Sequence, residues 1–244
     1  MYKLLLIGVL LFQQAYALTG EEMLIKADSF RLPHNQAKAV TQVELYKNDK
    51  LSKTRLYHVY LKQGQRSLVL FQSAKELGQK VLMIKDKFWM LMPKSRRPIR
   101  ITATQKLLGE ASTGDIANMR WAEYYKAEIV DQNADKNGVA AIHLSLSSQA
   151  KAATYERINL WLAKDSYAPI AADLFVKSGK LAKQASYVLD EIDGQQQVVE
   201  MVLLDKIQNN RKTIVKTLSV EAISIADKYY NPLFLVRQPQ LDLQ

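Results

Sequence analysis

Residues 81–101 read VLMIKDKFWMLMPKSRRPIRI, the densest apolar run outside the N-terminus. Two extended runs, 81–85 and 88–92, flank Asp86-Lys87, which reads as a turn. A half-buried strand alternates apolar with polar residues. Here large residues occupy both parities, so the hairpin must be covered on both faces or must face a cavity. Pro93 ends it, and Lys94, Arg96, Arg97 and Arg100 follow as a basic cluster. With the turn at Asp86-Lys87, Ile84 shares a face with Trp89, and Leu82 with Leu91. That face is expected to line a cavity. Met83 and Met90 add unbranched side chains that adapt to ligands of varied shape. Ordinary core packing is the competing reading for all of these positions.

Working outward, the chain before this hairpin is a meander. Ala37–Lys47, 51–62 and 66–73 have strand patterning, separated by Asn48-Asp49 and Gln63-Gly64. Upstream, Thr19 and Glu22 form a capping box, and Met23, Leu24, Ala27 and Phe30 recur at helical spacing until Pro33. Downstream the period of two breaks after Thr102. Residues 104–108 and 115–123 read as helical, bracketing Gly109 and Gly114. Strand patterning returns at 124–131, 139–147, 155–163, 170–177, 183–189, 198–207 and 213–222. Asn137-Gly138 is a hairpin turn; Asp165-Ser166, Ser178-Gly179, Asp193-Gly194 and Asn209-Asn210 mark others. Asn231-Pro232 and apolar residues 233–236 close the chain.

The expectation is mainly β: roughly ten or eleven strands in one curved antiparallel sheet, an incomplete barrel with an N-terminal helix and a mid-chain helical lid. Such a barrel is too wide to fill with its own strand side chains. Helices that plug it could exchange with an apolar ligand.

The first 17 residues read as a cleavable leader: Lys3, an apolar run over 4–12, and Ala15-Tyr16-Ala17 as the cleavage signal. Cleavage after Ala17 would leave residues 18–244 as one exported, periplasmic domain. The chain has no cysteine, so no disulfide is available. A formal net charge of +10 at pH 7 suits an acidic partner or an anionic membrane surface. No nucleic-acid motif accompanies it.

His34, His58 and His143 are scattered without metal-ligand spacing, so no metal or other cofactor is expected. Ser148-Gln149-Ala150-Lys151 reads S-x-x-K, but the S-D-N and K-T-G partners of that chemistry are missing. No G-x-S-x-G, H-E-x-x-H or phosphate-loop pattern occurs, and an enzyme is not expected.

Three stretches resemble the LolA-like outer-membrane lipoprotein-sorting proteins. The first is Gly78-Gln79-Lys80-Val81-Leu82 with Trp89-Met90-Leu91-Met92-Pro93, Arg96-Arg97 and Arg100-Ile101, where Leu91 stands in place of the family's aromatic. The second runs from Gly109 to Ile116, with Asp115 its clearest match. The third is Leu160-Trp161-Leu162 with Tyr167-Ala168-Pro169-Ile170 and Gly179-Lys180. The resemblance implies a half-open barrel with a helical lid and a hydrophobic cavity. Members bind lipoprotein acyl chains, other lipids or regulatory proteins.

On this reading Leu82, Ile84, Trp89, Leu91, Met83, Met90, Phe71 and Trp161 line the cavity. Leu107, Leu108, Ile116 and Met119 form the lid. Lys94, Arg96, Arg97 and Arg100 make a docking patch for phosphate headgroups or an acidic partner. Asp115 and Arg157 could latch lid to barrel. The expected function is a monomeric periplasmic carrier of lipoprotein acyl chains or another lipid. It would meet a membrane-protein donor or acceptor, such as a transporter, and touch the membrane surface transiently. The alternative is an interaction or sensor domain that contacts a membrane protein without moving cargo.

Overall fold

The computed structural model describes residues 18–238 apart from Asn118, Ala152, Asp193, Gln208 and Asn209, together with Leu241 and Leu243. The leader reading of residues 1–17 lies outside these residues, as does one member of each of the turns Asp193-Gly194 and Asn209-Asn210.

The chain opens with α1 (Gly20–Arg31). Its capping box forms as the sequence requires: Glu22 N donates to Thr19 Oγ1 at 3.2 Å and Thr19 N to Glu22 Oε2 at 2.8 Å. Six strands then run up and down: β1 (Ala37–Lys47), β2 (Lys50–Lys62), β3 (Arg66–Phe71), β4 (Lys80–Ile84), β5 (Lys87–Leu91) and β6 (Ile99–Ile101). A connecting segment over residues 102–124 follows. It carries β7 (Lys106–Leu108), β8 (Ala111–Ser112), α2 (Thr113–Ile116) and α3 (Trp121–Tyr124). The second meander comprises β9 (Tyr125–Lys136), β10 (Val139–Ser148), β11 (Arg157–Ala163), β12 (Pro169–Phe175), β13 (Leu181–Ile192), β14 (Gln195–Asp205) and β15 (Arg211–Glu221). A 3-10 turn (Asp227–Tyr230) and α4 (Pro232–Arg237) end the chain.

Pairing of β1 with β15 joins the two meanders into a single 13-stranded antiparallel sheet, with β6 and β9 as its two unjoined edges. The sheet curls without closing, so the expected incomplete barrel is the observed architecture. Residues 102–124 run from one free edge to the other through the interior. The main core holds Met23, Leu24 and Ala27 of α1, and Leu108, Ile116 and Trp121 of this segment. The inner faces of strands on both sides pack around them.

Two local expectations are corrected. Residues 104–108 are not helical: β7 and β8 form a small hairpin, turned at Gly109 with φ 55°. A helical span over 115–123 gives way to two single turns, α2 and α3. The short pieces satisfy one another's backbone: β7 pairs with β8, and Thr113 N and Gly114 N donate to Gln105 O at 2.8 Å and Ala103 O at 2.9 Å.

The opening hairpin is covered on both faces. The turn is Lys85-Asp86, with Lys85 at φ 52° and Ile84 opposite Lys87, so Leu82 faces Trp89 and Met83 faces Phe88. Leu82, Ile84, Trp89 and Leu91 share a face, as read, but that face turns away from the interior. It belongs to a second core with Tyr60, Leu68, Ile225, Tyr230 and Leu235, laid across it by the C-terminal segment. Lys62 Nζ donates to Ile225 O at 2.8 Å, and Asp227 pairs with Lys62 at 2.6 Å and Arg66 at 3.0 Å to hold this strap. Leu235, 1% exposed, is its apolar centre. Leu235→Ala is expected to cost about 2–5 kcal/mol, read from urea denaturation; a loss below about 0.5 kcal/mol would mean the strap does not seal the face.

Candidate functional site

The interior segment is the feature on which any ligand chemistry turns, because two buried polar anchors hold it. The first is Asp28 on α1, 1% exposed. Its carboxylate accepts from Trp121 N at 3.0 Å and Ala122 N at 2.9 Å, and pairs with Arg31 at 3.0 Å. Arg31 in turn lies 3.8 Å over the Trp121 ring and donates to Met119 O at 3.3 Å. Burial pushes the Asp28 carboxyl above the usual range, against the opposing pull of Arg31 and the two amides. Asp28 thus caps the start of α3 from another helix.

The second anchor is Asp115. Ser112 N donates to its Oδ2 at 2.9 Å and Ser112 Oγ at 2.7 Å, closing a capping box on α2. From the barrel wall Lys183 Nζ reaches the same oxygen at 3.1 Å and Tyr155 OH at 3.1 Å. Lys183 also donates to Glu110 O and, at 2.9 Å, to Tyr155 OH. Burial, then the Asp115 charge, holds the Tyr155 phenol well above its ordinary range, so it remains a donor.

Asp115 is thus tied to the barrel wall by Lys183 and Tyr155, and Arg157 is not its partner. Arg157 projects outward from β11, donating to Asn159 at 3.0 Å and covering Phe175 at 3.7 Å. The residue missed is Lys183. It sits in phase with Ala185 and Tyr187, whose side chains face the core. Asp28, four residues after Leu24, likewise lies on the apolar stripe of its helix. A charge in phase with a buried stripe was the available signal for both.

Among the expected cavity residues, Phe71 and Met83 belong to the main core, and Met90 packs against it. Leu82, Ile84, Trp89 and Leu91 lie on the opposite face. Trp161 also points outward: β11 buries Ile158, Leu160 and Leu162 inside, while Trp161 stacks on His143 with ring centroids 4.7 Å apart. Leu108, Ile116 and Met119 of the expected lid are buried in the main core, with Leu107 packed against it. Lys94, Arg96, Arg97 and Arg100 are exposed on and beside the β5–β6 turn, with Arg100 4.7 Å over the Trp89 ring.

Two small spaces adjoin the Asp115–Lys183 pair, of about 30 and 120 Å³. A much larger cleft, about 790 Å³, opens beside β6. Its walls are the end of β5–β6, the β10–β11 loop and the β12–β13 turn. Ser148 and Lys151 of the S-x-x-K run line it. Thr154 borders all three spaces. Among the described residues no group of three or more His, Asp or Glu side chains could hold a metal ion. No described helix is long and apolar enough to cross a membrane.

A family model described as "Uncharacterized protein" matches residues 63–237. The chain belongs to that family, and its fold is LolA-like. This LolA-like chain is similar to a LolA superfamily protein from Nitrosomonas europaea, at 25% identity and TM-score 0.82, over 88% of this chain and 98% of that one. A DUF1329-family protein from Desulfovibrio piger aligns at 19% identity and TM-score 0.71, covering 87% and 95% of the two chains. A domain from Vibrio parahaemolyticus, described as an outer membrane lipoprotein-sorting protein domain, aligns at 20% and 0.71, over 89% and 98%. No curated protein sequence matches this LolA-like chain.

Proposed function

We propose that this LolA-like protein is a periplasmic carrier that holds an acyl chain, of a lipoprotein or another lipid, inside its open barrel and hands it to a membrane-bound partner. The observation that carries the reading is the interior segment. The barrel is filled by α1 together with residues 102–124, the segment that connects the free edges β6 and β9. Withdrawing that segment would expose a lining of Phe71, Met83, Phe88 and the inner leucines of β10 and β11. Burial of a methylene is worth about 0.8 kcal/mol, so ten would gain on the order of 8 kcal/mol. Against that gain stands the cost of withdrawing the segment, which breaks the Asp115–Lys183 pair and uncovers Leu108, Ile116 and Trp121. Release requires a partner with differential affinity for the loaded or the empty state. The likeness to a lipoprotein-sorting domain supports the same direction.

The test is saturable binding of a fluorescent fatty acid to delipidated protein; absence of saturation would sink the carrier reading. Arg96→Glu with Arg97→Glu is expected to leave that affinity within about twofold while weakening binding to anionic vesicles, since the exposed loop lies off the interior. A cosedimentation assay on vesicles with and without anionic lipid reads the second effect.

The packed interior favours one second reading, an interaction domain whose barrel contacts a membrane protein and never opens. Under it the fatty acid does not bind, and the charge reversals impair partner docking alone.

A further inference from the structure

The large cleft beside β6 has a chemistry of its own. Arg100, Lys151 and Lys177 line it from three separate elements: β6, the β10–β11 loop and the β12–β13 turn. None of the three takes part in an ion pair among the described residues, and the Arg100 guanidinium rests over the Trp89 ring at the outer rim. All three are exposed. Asp86 and Glu156 also border the cleft, so the cations outnumber the carboxylates. Hydroxyls stand among them: Thr102 and Thr104, whose oxygens lie 3.0 Å apart, and Ser148. Phe88, Ile101 and Val176 supply apolar wall. Converging cations and hydroxyls over an apolar wall suit an amphiphile whose head carries negative charge.

Position matters as much as charge. Thr154 separates this cleft from the two small spaces beside the Asp115–Lys183 pair. A Cβ on Gly114 would clash with Thr154 Oγ1, so the interior segment is packed directly against the wall there. A chain entering the interior from the cleft would pass this point.

We infer that the cleft binds the phosphate of an anionic lipid, with Lys151 and Lys177 as its cationic donors, Arg100 at its rim and the acyl chain turned inward past Thr154. The inference rests on the carrier reading above and adds a headgroup class to it. The exposed loop of Lys94, Arg96 and Arg97 is a separate surface, absent from the lining of the cleft.

Titration calorimetry below the micellar range tests it on the delipidated chain, with oleoyl lysophosphatidate and monoolein as probes. The two share an acyl chain and differ in the phosphate. Lysophosphatidate is expected to bind at least about tenfold tighter. A variant carrying Arg100→Ser, Lys151→Ser and Lys177→Ser should lose that margin while its monoolein affinity stays the same, since a charge-assisted hydrogen bond is worth more than the 1.4 kcal/mol of a tenfold step. Lys94→Ser with Arg96→Ser and Arg97→Ser should keep the margin. Equal affinity for both lipids in the unaltered chain, or a margin that survives the triple cleft variant, overturns the inference and leaves the carrier intact. Loss of the margin in the loop variant assigns the phosphate to the loop and overturns the cleft. Binding of inorganic phosphate as tight as lysophosphatidate makes the ligand a free anion and overturns the lipid source. If neither lipid binds, the carrier reading falls with the inference.

Discussion

Lys183→Met is expected to lower the stability of this LolA-like chain by about 3–5 kcal/mol, as befits removal of one partner from a buried ion pair. The side chains of Lys183 and Asp115 are 7% and 8% exposed, and Asp115 gains little from water once the ammonium is gone. Methionine preserves the length and apolar stem, so the loss reports the charge and its hydrogen bonds. Those bonds also hold Glu110 O and Tyr155 OH, which lose a donor together. Adding Asp115→Leu should recover part of the loss, because two apolar groups of similar size often replace a buried pair without penalty. Recovery stays partial: Asp115 also caps α2 through Ser112. Urea denaturation of the two variants measures both effects. A cost for Lys183→Met below about 1 kcal/mol would show that water reaches Asp115 and that the pair is not sealed.

The meander was legible because its strands carry period-two patterning and their turns carry residues suited to positive φ. Asn137 and Gly138 take φ 56° and 80°, and Asn48 and Asp49 take 50° and 57°. The helix start at Thr19 was equally plain, since a capping box is a local device. What the sequence could not deliver was which side of an apolar hairpin faces inward. Both faces of β4 and β5 are greasy for different reasons: Met83 and Phe88 meet the core, while Leu82 and Trp89 meet the C-terminal strap. The strap lies more than 130 residues downstream of the hairpin. No local pattern connects Leu235 to Leu82. Residues 102–124 misled for a related reason. The apolar spacing over 107–117 reflects burial on several sides inside the barrel, which has no single period, so helix and hairpin look alike. The need of a buried charge for a partner does not by itself say which cation supplies it. The strand phase pointed to the lysine.

A disulfide between Gly109→Cys and Thr213→Cys is expected to abolish acyl-chain uptake when oxidised and to restore it on reduction. A Cβ built on Gly109 would lie 3.5 Å from that of Thr213, within the range of about 3.5–4.5 Å that disulfides span. The chain contains no cysteine, so the introduced pair has no competitor. The link pins the β7–β8 hairpin to β15, the part of the interior segment that must move if the barrel is to open. Three costs accompany it. Gly109 sits at φ 55°, where a side chain is disfavoured by on the order of 1–2 kcal/mol, its Cβ would press on Leu45 Cδ1 at 2.8 Å, and Thr213 gives up the hydroxyl that accepts Glu110 N at 2.9 Å. All three act in the reduced form too, so the comparison that matters is one variant in two redox states. Closing a loop of this length restricts the unfolded chain by about 4.7 kcal/mol in the entropy model, so the oxidised form should also melt higher. If the oxidised protein binds the fluorescent fatty acid as tightly as the reduced one, the segment stays in place during binding. The cargo would then have to sit outside the barrel, in the cleft beside β6 alone.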